Sequence, residues 1–267
     1  MNSKQKESVP PIREVTPTAI TRWLALGWRD FRQVGWPSLM HGLIVTGLSL
    51  VIIQIALLFW PLLPGAVSGF LVVGPIIATG LYALSQRHER GQSTRPVDAF
   101  DAWRQGSRCL LRFGLLLVFV ATAWVVVSAV LFHFFVNVAI TSPMEFLRYV
   151  FSQDDVIFLL WTVLAGLVAA VIFAVTVVSV PMLVDRSVTT PLAIRTSVRA
   201  VAENPVTMAI WALFILMVTA FSVATLMIGF IVLYPVIGHA SWHVYRDVVD
   251  ASQIPPVSYT HLRAHET

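Results

Sequence analysis

His239 and His243, four residues apart, are the side chains in this 267-residue sequence with the clearest capacity for chemistry. Helical positions i and i+4 share a face, so both imidazoles point the same way. Near neutral pH an imidazole can take a proton, ligate a metal or contact a ligand. Pro235 and Trp242 fall on the same side of that helix. Pro235 has no N–H, which leaves the Ile231 carbonyl without its helical donor and in need of another partner. A second helix repeats the spacing, since Pro75, Thr79 and Tyr82 advance by four and three residues as Pro235, His239 and Trp242 do. Together these predict a ligand-contacting or proton-handling surface made of Pro235, His239, Trp242, His243, Thr79 and Tyr82. The competing expectation, which the sequence favours, is two kinked helices packed together with histidines kept neutral at an interface. No Asp, Glu or Cys accompanies the pair within its apolar stretch to complete a coordination sphere. No catalytic residue, metal or cofactor is therefore assigned. His41 and His133 also sit in or at the ends of apolar stretches.

The elements that carry these residues are membrane helices. No charged residue occurs in 33–85, 113–144, 156–184 or 204–245. A crossing needs about 20 apolar residues. By length, the first and last stretches hold two spans each and the middle two hold one each. The predicted spans are 39–60, 66–84, 110–136, 156–184, 206–225 and 228–244. A chain that is 57% hydrophobic, 12% charged and of mean hydropathy +0.78 departs strongly from the roughly 25% charged residues of soluble domains. The pI of about 9.6 does not indicate nucleic acid, because the arginines sit at span ends, where anionic lipid accounts for them. The single Cys109 permits no intramolecular disulfide.

Orientation follows from the same arginines. Arg22, Arg29 and Arg32 precede the first span, Arg87, Arg90, Arg95, Arg104 and Arg108 lie between the second and third, and Arg186, Arg195 and Arg199 lie between the fourth and fifth. Only Arg148 lies on the other side. This asymmetry predicts both termini in the cytoplasm.

A three-fold repeat underlies the spans. Thr16-Pro17, Arg95-Pro96 and Thr190-Pro191 each open a short amphipathic helix, with Thr16 and Thr190 as expected caps. Apolar stripes (Ile20, Trp23, Leu24 and Phe31; Val97, Phe100 and Trp103; Ile194, Val198 and Val201) oppose arginines, as a helix lying in the headgroup plane requires. A two-span hairpin follows each, and its second helix carries Pro75, Pro181 or Pro235 and ends near an arginine beside an acid. On the outer side, Ser142-Pro143-Met144-Glu145 has capping-box spacing and predicts a short interfacial helix. The expected organisation is a disordered tail over 1–16, a single membrane domain over 17–250 and a disordered tail over 251–267. Within that last tail, 257–267 reads as a translated sequencing adapter.

The segments Trp23-Leu-Ala-Leu-Gly-Trp-Arg-Asp30, Gly74-Pro-Ile-Ile-Ala-Thr-Gly-Leu-Tyr82, Val180-Pro-Met-Leu-Val-Asp-Arg186 and Pro235-Val-Ile-Gly-His-Ala-Ser-Trp-His-Val-Tyr-Arg-Asp247 resemble bacterial integral membrane proteins grouped as domain of unknown function 2189. The resemblance implies a multi-pass protein of the bacterial inner membrane and brings no established activity. No nucleotide-binding loop, nucleophile elbow or zinc-protease motif is present. The sequence thus predicts an all-α polytopic bundle, six spans in three hairpins, each behind an interfacial amphipathic helix. The expected role is a non-enzymatic interaction or scaffold protein that contacts membrane lipid and a protein partner or a second copy. The alternative is a small-solute transporter or permease with a cavity between spans two and six.

Overall fold

The computed structural model describes residues 9–104, 108–135 and 156–257, with Ser142, Met144, Glu145, Arg148 and Tyr149 between them. The side chain of Trp103, most of the adapter-like tail and the remainder of the interfacial helix expected after Ser142 lie outside the described residues; of that helix, Met144, Glu145, Arg148 and Tyr149 are helical, and Ser142 Oγ accepts from Glu145 N at 3.3 Å. The described fold is all-helical: α1 (Ala19–Val34), α2 (Trp36–Leu58), α3 (Leu62–Ile77), α4 (Thr79–Glu89), α5 (Pro96–Arg104), α6 (Arg108–Phe135), α7 (Val156–Thr176), α8 (Ser179–Asp185), α9 (Thr190–Glu203), α10 (Pro205–Ala224) and α11 (Phe230–Val248). Proline stands in the first turn of α2, α5, α9 and α10, where its missing N–H costs nothing.

Among the described residues, five helical stretches are long and apolar enough to cross a membrane: Trp36–Leu58, Leu62–Glu89, Cys109–Phe135, Val156–Asp185 and Pro205–Ala224. The expected sixth span, α11, is not among them. Its second half carries His239, Ser241, His243, Arg246 and Asp247, which lower its apolar content, and it buries most of its length against α1, α2 and α4.

Pro75 and Pro181 each lie beside an interruption. The first divides α3 from α4 at Ala78 and the second divides α7 from α8 at Val177–Val178. Freed backbone groups in apolar surroundings must find partners. At the first break His41 Nε2 lies 3.1 Å from the Ile77 carbonyl. At the second, Ser197 enters the ladder: it accepts from Val178 N at 3.1 Å and donates to the Ala174 carbonyl at 2.7 Å. Pro235 leaves α11 unbroken.

The three amphipathic helices do not share one environment. Ile20 and Trp23 are buried against protein, and Trp23 meets Trp211 edge-on at 5.9 Å. In α5, by contrast, Val97 and Phe100 point outward, as does Val198 in α9. Neither threonine caps as expected. Thr16 pairs with Thr18, and the Thr190 hydroxyl donates to the Cys109 carbonyl. At α5, Asp98 Oδ2 accepts from Arg95 N at 2.6 Å, the carboxylate half of a capping box.

Segments expected as tails also pair. Arg13 N donates to the Val248 carbonyl and Asp250 N to that of Pro11. Ala251 is buried, Ser187 N donates to the Pro255 carbonyl, and Val257 N donates to that of Asp185. These bonds hold 11–13 along 248–250, and 255–257 beside the end of α8.

Candidate functional site

A buried polar chain joins four helices at the arginine-rich end of the bundle. On α11, His239 Nε2 lies 2.8 Å from Ser38 Oγ of α2, and its Nδ1 lies 2.6 Å from Ser85 Oγ of α4. Ser85 donates to Asp30 Oδ2 of α1 at 3.0 Å. The serine has one proton, and it goes to the carboxylate. Nδ1 must therefore carry the ring proton, and in the neutral imidazole Nε2 accepts from Ser38. Asp30 Oδ2 also accepts from His243 Nε2 at 2.9 Å. The sequence Ser38–His239–Ser85–Asp30–His243 is thus continuous, with its first four members buried and His243 at the edge.

Close helix crossings bring these groups together. A Cβ on Gly27 would sit 2.6 Å from Ala240 N, so only glycine lets α1 approach α11 this closely. Burial pushes the Asp30 carboxyl up. The hydrogen bond and charge of His243, with the electrostatic influence of His239 and the Ser85 hydroxyl, outweigh it and hold the group below its ordinary value. Asp30 Oδ1 is buried without a hydrogen-bond partner among the described residues.

A second network starts from Trp242, which turns away from the histidines and donates to Glu89 Oε2 at 3.0 Å. Glu89 also accepts from Arg246 Nη2 at 3.0 Å. Buried Asp185 then gathers arginines from the ends of three helices: Arg186 at 2.9 Å, Arg90 at 3.5 Å and Arg246 at 3.7 Å. Gln86 Nε2 and Tyr245 Oη complete its shell, each at 2.9 Å. The acid–arginine ends of α4, α8 and α11 therefore interlock. Asp247, the acid at the end of α11, pairs instead with Arg22 and Trp23 of α1.

Of the residues singled out by sequence, His239 and His243 are joined through Ser85 and Asp30, and Trp242 belongs to the other network. Pro235 and Tyr82 are buried, with Tyr82 hydrogen-bonded to Ser241. Thr79 is fully buried, and its hydroxyl has no partner among the described residues. These six side chains are packed within the bundle. Sequence reasoning missed Ser38, Ser85, Asp30, Glu89, Asp185 and Tyr245. Its usable signals were the acid beside each arginine at a helix end and the Asp30 that closes the Trp-Arg-Asp segment.

Comparison with curated proteins and with solved structures gives no match. Residues 62–185, from the start of α3 to the Asp185 that gathers the arginines, match the family described as predicted integral membrane protein, domain of unknown function 2189.

Proposed function

We propose that this integral membrane protein is a non-enzymatic interaction or scaffold protein of the bacterial inner membrane, with both termini cytoplasmic. Its membrane-embedded helices form three hairpins, each behind an amphipathic helix, and its partners are membrane lipid together with a protein partner or a second copy. The order α1 then α2–α4, α5 then α6–α8, and α9 then α10–α11 supports the three-fold plan, as does the convergence of all three helix ends on Asp185. The orientation rests on the arginine asymmetry.

One observation carries the functional reading. The polar groups that would serve a solute path are spent on holding helices together, since His239, His243 and Trp242 each bond to another helix. The alternative, a small-solute permease with a cavity between the second and last membrane helices, requires α4 and α11 to part. Reporter fusions should place Gly91, Asn204 and Asp250 inside and Ser142 outside, and an outside signal at Asn204 would sink the orientation. Cross-linking in native membranes, followed by purification, separates the classes. A stoichiometric protein neighbour or a defined homo-oligomer supports the scaffold, and a retained small solute supports the permease.

A further inference from the structure

The third hairpin is shorter than the first. Going from the base, His239 meets Ser38, Ile231 meets Gly42, and the Met227 carbonyl accepts from Thr46 Oγ1 at 3.4 Å. The turn between α10 and α11 therefore lies beside Thr46. Beyond that level α2 continues to Leu58, about 18 Å of further rise at 1.5 Å per residue. The antiparallel α3 gives the same picture: Phe70 packs on Phe230 with centroids 4.6 Å apart, and about 12 Å of helix separates Phe70 from Leu62.

The turn is built for a dry environment. Leu226, Met227 and Ile228 are apolar, and Leu226 and Met227 hold positive φ of 51° and 69°, a conformation non-glycine residues rarely adopt. Each N–H from Thr225 to Phe230 has an internal acceptor: Phe221, Val223, Ser222 and Thr225 carbonyls in turn, then Thr225 Oγ1, then the Met227 carbonyl. Irregular backbone inside hydrocarbon requires such closure, and a turn in outer water does not.

Above the turn lies a cleft of about 370 Å³, with Met227 and Phe230 on its floor and Ile53, Ala66, Gly69 and Val125 among its walls. Its mouth includes the outward-facing Ile52 and Val118. The two hydroxyls in its lining are spent on their own helices, Ser49 on the Val45 carbonyl and Thr122 on that of Val118. A water needs two or more polar partners, which these walls do not offer, whereas the apolar, exposed Ile52 and Val118 at the mouth are side chains that suit lipid tails.

We propose that the α10–α11 hairpin is re-entrant, halting near mid-bilayer, and that the cleft above its tip holds one acyl chain of a membrane phospholipid. The whole protein, with Cys109→Ser, is reconstituted in phosphatidylethanolamine–phosphatidylglycerol vesicles. A nitroxide at Leu226→Cys should be oxygen-accessible and several-fold less accessible to a nickel chelate than one at Leu58→Cys; equal nickel access at the two sites would overturn the re-entrant hairpin. In the same vesicles, phosphatidylethanolamine with a diazirine midway along one chain should label Ile53, Phe70 and Val125 several-fold more than the outward-facing Leu160. Ala66→Phe should abolish that excess and leave Leu160 labelling unchanged, and Ile53→Trp serves if Ala66→Phe does not fold. Uniform labelling means annular lipid only, and a chain-to-chain cross-link at the cleft means a second copy fills it; either result overturns the acyl-chain site.

Discussion

The Ile231 carbonyl faces Gly42 so closely that a Cβ at position 42 would stand 2.1 Å from the oxygen. Pro235 removes the helical donor for this carbonyl, and the bare Cα of Gly42 lets α2 lie against it. The residue pair thus fixes the crossing of α2 with α11. Gly42→Ala forces the helices apart, because the obstructing atom is backbone and cannot rotate away. We expect a loss of about 1–3 kcal/mol, the usual cost of overpacking. Thermal unfolding in detergent should show it, and Gly47→Ala, where a Cβ has open space, should leave the midpoint unchanged.

Asp30 ties α1 to α11 and α4 through one oxygen. Breaking a buried charged pair by removing one partner costs about 3–5 kcal/mol, and Asp30→Ala should approach that range. The pH dependence has a definite sign. A carboxyl held below its ordinary value contributes stability that is complete above the unfolded value of 3.8 and lost as pH falls through the folded one. Titration of Asp30 itself should therefore be over by about pH 5, and its contribution should be lost progressively as pH falls below about 4. Acid titration of unfolding for wild type and Asp30→Ala checks this, because the difference between the two should shrink only in strong acid.

Asp185 is the acceptor that three helix ends share. Asp185→Asn removes the charge that draws in Arg90, Arg186 and Arg246, and leaves too few acceptors for Gln86 and Tyr245. Buried donors left unsatisfied cost about 1–3 kcal/mol. The three arginines are partly exposed and recover water, so Arg90→Gln should cost less than Asp185→Asn. Melting curves of the two single variants and the double variant give the coupling. Full additivity would show that the shared acceptor does not couple the helix ends.

How much of this was legible in sequence depends on whether a feature is local. Charge-free stretches announced the membrane helices because the bilayer demands apolar length, and α2, α3 with α4, α6, and α7 with α8 follow them closely. The need of the Ile231 carbonyl for a partner followed from proline chemistry alone. What packs against it, Gly42, is about 190 residues away in sequence and carries no signature of its own. Asp30 and Ser85 were hidden for the same reason, since an acid on an amphipathic helix reads as solvated until another helix covers it. In sequence the α1 stripe reads as lipid-facing, because periodicity reports an apolar face and not what meets it. The depth of the third hairpin is likewise a property of contacts, set where Thr46 meets Met227.

The differing fates of the amphipathic helices give a paired prediction. Trp23 is fully buried, donates to Asp247 Oδ2 at 2.9 Å and packs on Trp211, whereas Phe100 of α5 is half exposed. Trp23→Ala removes a large core side chain and leaves a cavity, for which about 3–5 kcal/mol is typical. It also deprives Asp247 of a donor beside Arg22. Phe100→Ser removes a group facing away from the bundle, so in detergent its cost should stay within about 0.5 kcal/mol. In vesicles the order of effects on α5 itself should reverse: an outward Phe at the membrane surface gains by inserting, and its loss should speed hydrogen exchange in α5 and leave α1 protected. Trp23→Ala should expose α1 in detergent and vesicles alike. If Phe100→Ser were as destabilising in detergent as Trp23→Ala, α5 would have to pack its apolar stripe on protein as α1 does.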